Sequence, residues 1–126
     1  MHDNDRIPVI RIETHRYNMT FEPDTMEILG NPRHIEFLWD GGDKVLSAVI
    51  AEKHTRYSTR LPVPRKKDAL HPTKIAEPCI VRQLAEALGW EPGRCYEAAG
   101  GYDEEKKIAR FTLSDAQEAG GWENAY

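Results

Sequence analysis

Branched and aromatic residues recur at alternating positions over several short stretches, and each stretch ends near a proline or a glycine. Ile7, Val9, Ile10 and Ile12 predict a strand over 7–12. Tyr17, Met19 and Phe21 alternate with Asn18 and Thr20, the pattern of a half-buried strand. Pro23 suits the first turn of a helix, and Gly30 suits the position just past its end, so a short helix is expected over 24–29. A strand over 34–38, the turn signal Asp40-Gly41-Gly42-Asp43 and a returning strand over 45–51 read as a β-hairpin.

The same order comes again. Residues 74–76 are a brief extended piece. Pro78 opens a helix whose apolar positions Ile80, Val81, Leu84, Ala85 and Leu88 fall at helical spacing, and Gly89 closes it. Residues 94–98 read as a strand, 100–105 as a turn and 108–113 as the returning strand. Side by side, Glu22-Pro23 matches Glu77-Pro78, Leu29-Gly30 matches Leu88-Gly89, Pro32 matches Pro92, and Val45 falls opposite Ile108. The expected fold class is therefore α+β, mainly β: two repeats of strand, short helix and β-hairpin, forming a small barrel or two small sheets. The first repeat covers 7–51, a basic linker 52–73, the second repeat 74–113, and a flexible acidic and aromatic tail 114–126.

Charge changes this picture more than composition does. The net charge of −4 divides into −4 over 1–50, +5 over 51–75 and −5 over 76–126. The basic middle carries Lys53, Arg56, Arg60, Arg65, Lys66, Lys67 and Lys74, with His54 and His71 beside them. An acidic protein is repelled by a phosphate backbone at long range, yet a basic patch confined to one face still holds phosphates. The plainer account of such a run is a solvated linker.

Specific catalytic chemistry is hard to find. The glycines form turn pairs rather than a phosphate-cradling loop, and the five histidines are scattered without helical pairing. Cys79 and Cys95 make neither a disulfide framework nor a zinc site. No catalytic residue, metal or cofactor is expected. Nothing in the sequence is long and apolar enough to span a membrane, and the first residues lack the apolar core of a signal peptide, so a cytoplasmic protein is expected. The aromatics read mostly as core. Trp39 beside a turn and Trp90 after a helix stop are the two placed for exposure at a partner surface.

The stretch 8–50, through Met19-Thr20-Phe21-Glu22-Pro23, Glu27-Ile28-Leu29-Gly30 and the hairpin around Gly41-Gly42, resembles the AbrB/MazE/SpoVT group of swapped-hairpin transcription regulators. That resemblance implies two copies of one unit interlocked in a β-barrel, built here as a monomeric pseudo-dimer or as a homodimer. It also implies duplex DNA as partner. Of the family's basic positions, Arg16 has a match and Arg33 a loose substitute, while Glu27 and Ile28 stand where the short helix usually carries bases. The run Leu88-Gly89-Trp90-Glu91-Pro92, then Tyr96 and Phe111-Thr112-Leu113, resembles short proteins of bacterial mobile elements.

Two functions follow as expectations. In the first, the chain is a non-enzymatic DNA-binding regulator of a mobile element, with Arg56, Arg60, Arg65, Lys66 and Lys67 positioning phosphates and Arg16 and Arg33 near the groove. In the second, it inhibits a nucleic-acid-handling protein machine, as anti-CRISPR proteins do, through Trp39, Asp40, Asp43, Trp90, Asp103, Glu104 and Glu105. An enzyme is the least favoured reading.

Overall fold

The computed structural model describes residues 7–61 and 72–119. Its chain order is β1 (Val9–Glu13), β2 (Asn18–Phe21), α1 (Pro23–Ile28), β3 (His34–Asp40), β4 (Val45–Ala51), β5 (Thr59–Arg60), β6 (Thr73–Ala76), α2 (Pro78–Leu88), β7 (Cys95–Asp103), β8 (Ile108–Thr112) and β9 (Gln117–Glu118), with one 3-10 turn at Leu113–Asp115. The protein is mainly β. Its strands pair antiparallel in the order β5-β3-β4-β8-β7-β1-β2-β6, curled into a half-barrel, and β9 pairs with β7.

Alternation decides which face is covered. Ile10 and Ile12 of β1, Ile35 and Phe37 of β3, Leu46 and Ala48 of β4, and Ala109 and Phe111 of β8 all point inward. Phe21 lies at the centre, its ring 6.4 Å from those of Phe37 and Phe111. The helices add Met26 of α1 and Val81 and Leu84 of α2 to the core. Both helices begin at a proline and end the same way. Gly30 and Gly89 take left-handed backbone, and the next N–H, of Asn31 or Trp90, donates to the carbonyl five residues back.

Three hairpin turns, over 14–17, 41–44 and 104–107, share one geometry. Each has four residues, and the fourth sits at positive φ: Tyr17 at 57°, Lys44 at 58° and Lys107 at 57°. In two of them an aspartate at the strand end holds the turn. Asp40 accepts from the N–H groups of Gly42 and Asp43, and Asp103 accepts from that of Lys106, at 3.0–3.1 Å.

Three stretches differ from their expected form. Residues 100–103 continue β7 rather than turning, because Gly100 lets the strand pass close to Arg110 and Phe111 of β8. The span read as a basic linker contains β5, and Leu61 beside it is fully buried, so this part is packed structure. In the span read as a flexible tail, Gln117 and Glu118 pair with Glu97 and Tyr96. The tail residues 120–126 lie outside the described residues.

Candidate nucleic-acid interface

The chain comes out of α1 through Gly30, Asn31 and the buried Pro32, and enters β3 with Arg33 exposed. From there β5 lies along β3. Arg60 stands opposite His34 and Thr59 opposite Ile35, and the Leu61 N–H donates to the Arg33 carbonyl at 2.7 Å. Burial of Leu61 anchors this short strand, which is too brief to hold by its ladder alone. Arg33 and Arg60 are thereby brought to one place from 27 residues apart.

The turn before β5 adds a third group. Ser58 and Thr55 hydrogen-bond each other through side chain and backbone, which folds residues 55–58 tightly. His54 comes to rest with its ring 5.5 Å from that of His34. Arg33, His34, His54 and Arg60 then line an open groove of about 760 Å³. Its one acid, Glu52, is already engaged by the Lys107 ammonium at 3.2 Å. Neither Arg33 nor Arg60 has a carboxylate partner among the described residues, whereas Arg11 and Arg94 do. The His34 Nδ1 is buried and has no hydrogen-bond partner among them. Such a groove presents fixed positive charge and the exposed His54 ring to an anion, the equipment for holding a phosphate oxygen.

The other expected basic residues are placed differently. Arg56 lies in the same connection but packs over the Tyr57 ring at 5.9 Å, outside the lining of the groove. Arg16 is exposed on the turn between β1 and β2, far along the sheet order from β3 and β5. That turn is fastened by Thr14, whose hydroxyl reaches the carbonyls of Glu91 and Arg94 and accepts from the Arg94 N–H. Arg65, Lys66 and Lys67 lie outside the described residues. His34 and His54 were not among the residues nominated from sequence. The signal for His34 was its position one residue before the inward Ile35, which places it on the outer face.

The acidic set divides between two hairpin ends. Asp40 and Asp43 lie at the turn between β3 and β4, and Asp103, Glu104 and Glu105 at the turn between β7 and β8. Trp39 is half-buried against the core, and Trp90 stacks on Tyr96 at 4.3 Å, so neither stands out at the surface. Among the described residues the exposed large apolar side chains are instead Ile7, Leu38 and Tyr57. Leu38 follows from alternation with the inward Phe37.

Cys79 is exposed and Cys95 buried, and burial pushes the Cys95 thiol up to about 11. Among the described residues no group of histidine, cysteine and acidic side chains is gathered for a metal ion. No helix among them is long and apolar enough to cross a membrane. No protein-family model, curated protein or solved structure matches this chain.

Proposed function

We propose that this chain is a non-enzymatic nucleic-acid-binding protein, a regulator of the AbrB-like kind belonging to a bacterial mobile element, and that it holds the backbone of duplex DNA. The observation that carries the reading is the meeting of Arg33 and Arg60, neither neutralised by a carboxylate among the described residues, in one groove with His34 and His54. Two guanidinium groups held by paired strands position phosphates without needing a contact to bases.

The architecture proposed with it is an internal pseudo-dimer of two β-β-α-β-β units, β1 to β4 and β5 to β8. Several features support it. Asp40 and Lys44 occupy the same turn positions as Asp103 and Lys107. The Ile50 N–H donates to the Lys107 carbonyl, and the Leu113 N–H donates to the Lys44 carbonyl, as an exchange of units requires. The first strand of each unit pairs with the other: β1 with β7, and β5 with β3. Exchanging the units maps each of the pairings β1 with β7, β3 with β4, β4 with β8 and β2 with β6 onto an observed pairing; β1 with β2 has no such counterpart between β5 and β6 among the described residues.

The test is anisotropy of a labelled random duplex titrated at 50 and 200 mM salt. Binding should weaken steeply with salt, with a log–log slope of about −0.9 per phosphate neutralised. The double variant Arg33→Glu/Arg60→Glu should bind at least about tenfold more weakly and with a shallower slope. Absence of binding at 50 mM salt, or a variant equal to the parent, overturns the proposal.

A further inference from the structure

A second groove, of about 1000 Å³, runs beside the first and shares Pro32 and Ile50 with it. One wall is the last part of β7. The Gly100 N–H donates to the Pro8 carbonyl at 2.9 Å, which ends the run of β1 along β7. From there β7 continues to Asp103 with β8 on one side only. Backbone groups of alternate residues share an edge, so those of Tyr102 face the same way as those of Gly100, toward the groove. No described strand lies along that edge. A methyl group added at Gly101 would meet nothing within 4 Å, so the face of the strand is uncrowded there.

The lining has a definite chemistry. Ile28 and Ile50 are half-buried and Ile7 is 59% exposed, which makes an apolar floor. Glu27, Asp103 and Glu104 stand around it. The one base in the lining, Lys107, is held by Glu52. A strand edge with no partner among the described residues, an apolar floor and a carboxylate rim are the three elements that recognise an extended basic peptide.

We propose that this groove takes a segment of a partner protein as an added β-strand on the Tyr102 edge. Aliphatic side chains of the segment settle on Ile7, Ile28 and Ile50, and lysine or arginine side chains between them meet Glu27, Asp103 and Glu104. Charge complementarity selects this occupant. Residues 1–6 of the chain itself carry Asp3 and Asp5 against the single Arg6 and would bring acid to acid. A phosphate backbone is repelled by the same rim, so the two adjoining grooves sort their ligands by sign. This inference stands independently of DNA binding in the first groove.

The probe is a fluorescein-labelled peptide Arg-Ile-Arg-Val-Arg-Ile, followed by anisotropy and by amide shifts of the ¹⁵N-labelled protein. Saturable binding is expected, with the shifts concentrated on 101–103 and on Ile7 and Ile28. The acidic peptide Glu-Ile-Glu-Val-Glu-Ile and a basic peptide N-methylated at alternate amides should each bind at least about tenfold more weakly, since one loses the charge match and the other the strand hydrogen bonds. The variant Glu27→Gln/Glu104→Gln, changed at two exposed positions, should lose a similar factor, while Arg33→Glu/Arg60→Glu should bind the peptide like the parent. Equal binding of the acidic or methylated peptide overturns the proposal. So do shifts that fall elsewhere, or a groove already filled by a second copy or by residues 1–6.

Discussion

Replacing Gly100 by alanine adds one methyl group at the most crowded of the described glycines. The new carbon would stand 2.7 Å from Cδ1 of Phe111 and 3.0 Å from the carbonyl carbon of Arg110, and inside the contact shell of the Arg110 carbonyl oxygen. Carbon atoms settle at about 3.5–4.0 Å, so the site is short by roughly 1 Å. Phe111 cannot swing aside, because it is fully buried with its ring 6.4 Å from that of Phe21. Strand β7 must therefore lift away from β8, which stretches the ladder at Gly101 and Arg110. Overpacking of this kind costs about 1–3 kcal/mol, and the backbone contact argues for the upper half. For a chain of this size that lowers Tm by about 6–12 °C. Gly101→Ala is the matched control, with open space at the same strand and an expected change within about 0.5 kcal/mol. Thermal unfolding followed by circular dichroism reads both. A Gly100→Ala protein melting within 2 °C of the parent (roughly the reach of a neutral surface change), or a control that suffers equally, would refute the packing argument.

Thr14→Val should cost about 1–3 kcal/mol, because the buried hydroxyl that accepts from the Arg94 N–H is lost and that donor is left without its partner; urea unfolding with an unchanged m-value checks it. Cys95 should stay unreactive toward a thiol reagent at pH 8 until the protein is unfolded, while Cys79 reacts at once, as absorbance of the released chromophore will show. The buried Cys95 thiol also predicts a pH dependence. In the unfolded chain it ionises near its ordinary value of 9, but in the folded protein only near 11, so the unfolded state gives up its proton first and stability falls between those values. The urea midpoint of the parent should drop more from pH 8.5 to pH 10.5 than that of Cys95→Ala; parallel curves count against the burial argument.

Elements whose cause is local were legible in the sequence. Helix α2 carries its own start in Pro78, its own face in Val81 and Leu84, and its own stop in Gly89, and it spans Pro78–Leu88. Strand β4 spans Val45–Ala51, the stretch that the Asp40-Gly41-Gly42-Asp43 turn signal marks as the returning strand. Elements whose cause lies elsewhere in the chain were not. Gly100-Gly101 looks like a turn because glycine is common in turns; here Gly100 is demanded by β8, a partner that local reading does not supply. Strand β5 has two residues and no period at all, and it exists because β3 offers an edge and Leu61 a place in the core. The site divides along the same line. Arg33 and Arg60 stood out as charges, but their meeting depends on the pairing of β5 with β3. His34 and His54 become neighbours only through the turn that the Thr55 and Ser58 bonds hold.

The pairing of β1 with β7 also sets a schedule for synthesis. Glu13 must wait for Cys95, about 80 residues later, before its ladder can form. At a ribosomal pace of roughly 5–20 residues per second, that wait lasts on the order of 4–16 s. Throughout it the hairpin of β1 and β2 has its β1 edge unfilled, and its β2 edge too until β6 is made, with Ile10, Ile12, Met19 and Phe21 short of their final cover. A nascent chain in that condition is a template for neighbours on the same polysome. Its safety in the cell thus depends on how fast its second half is made.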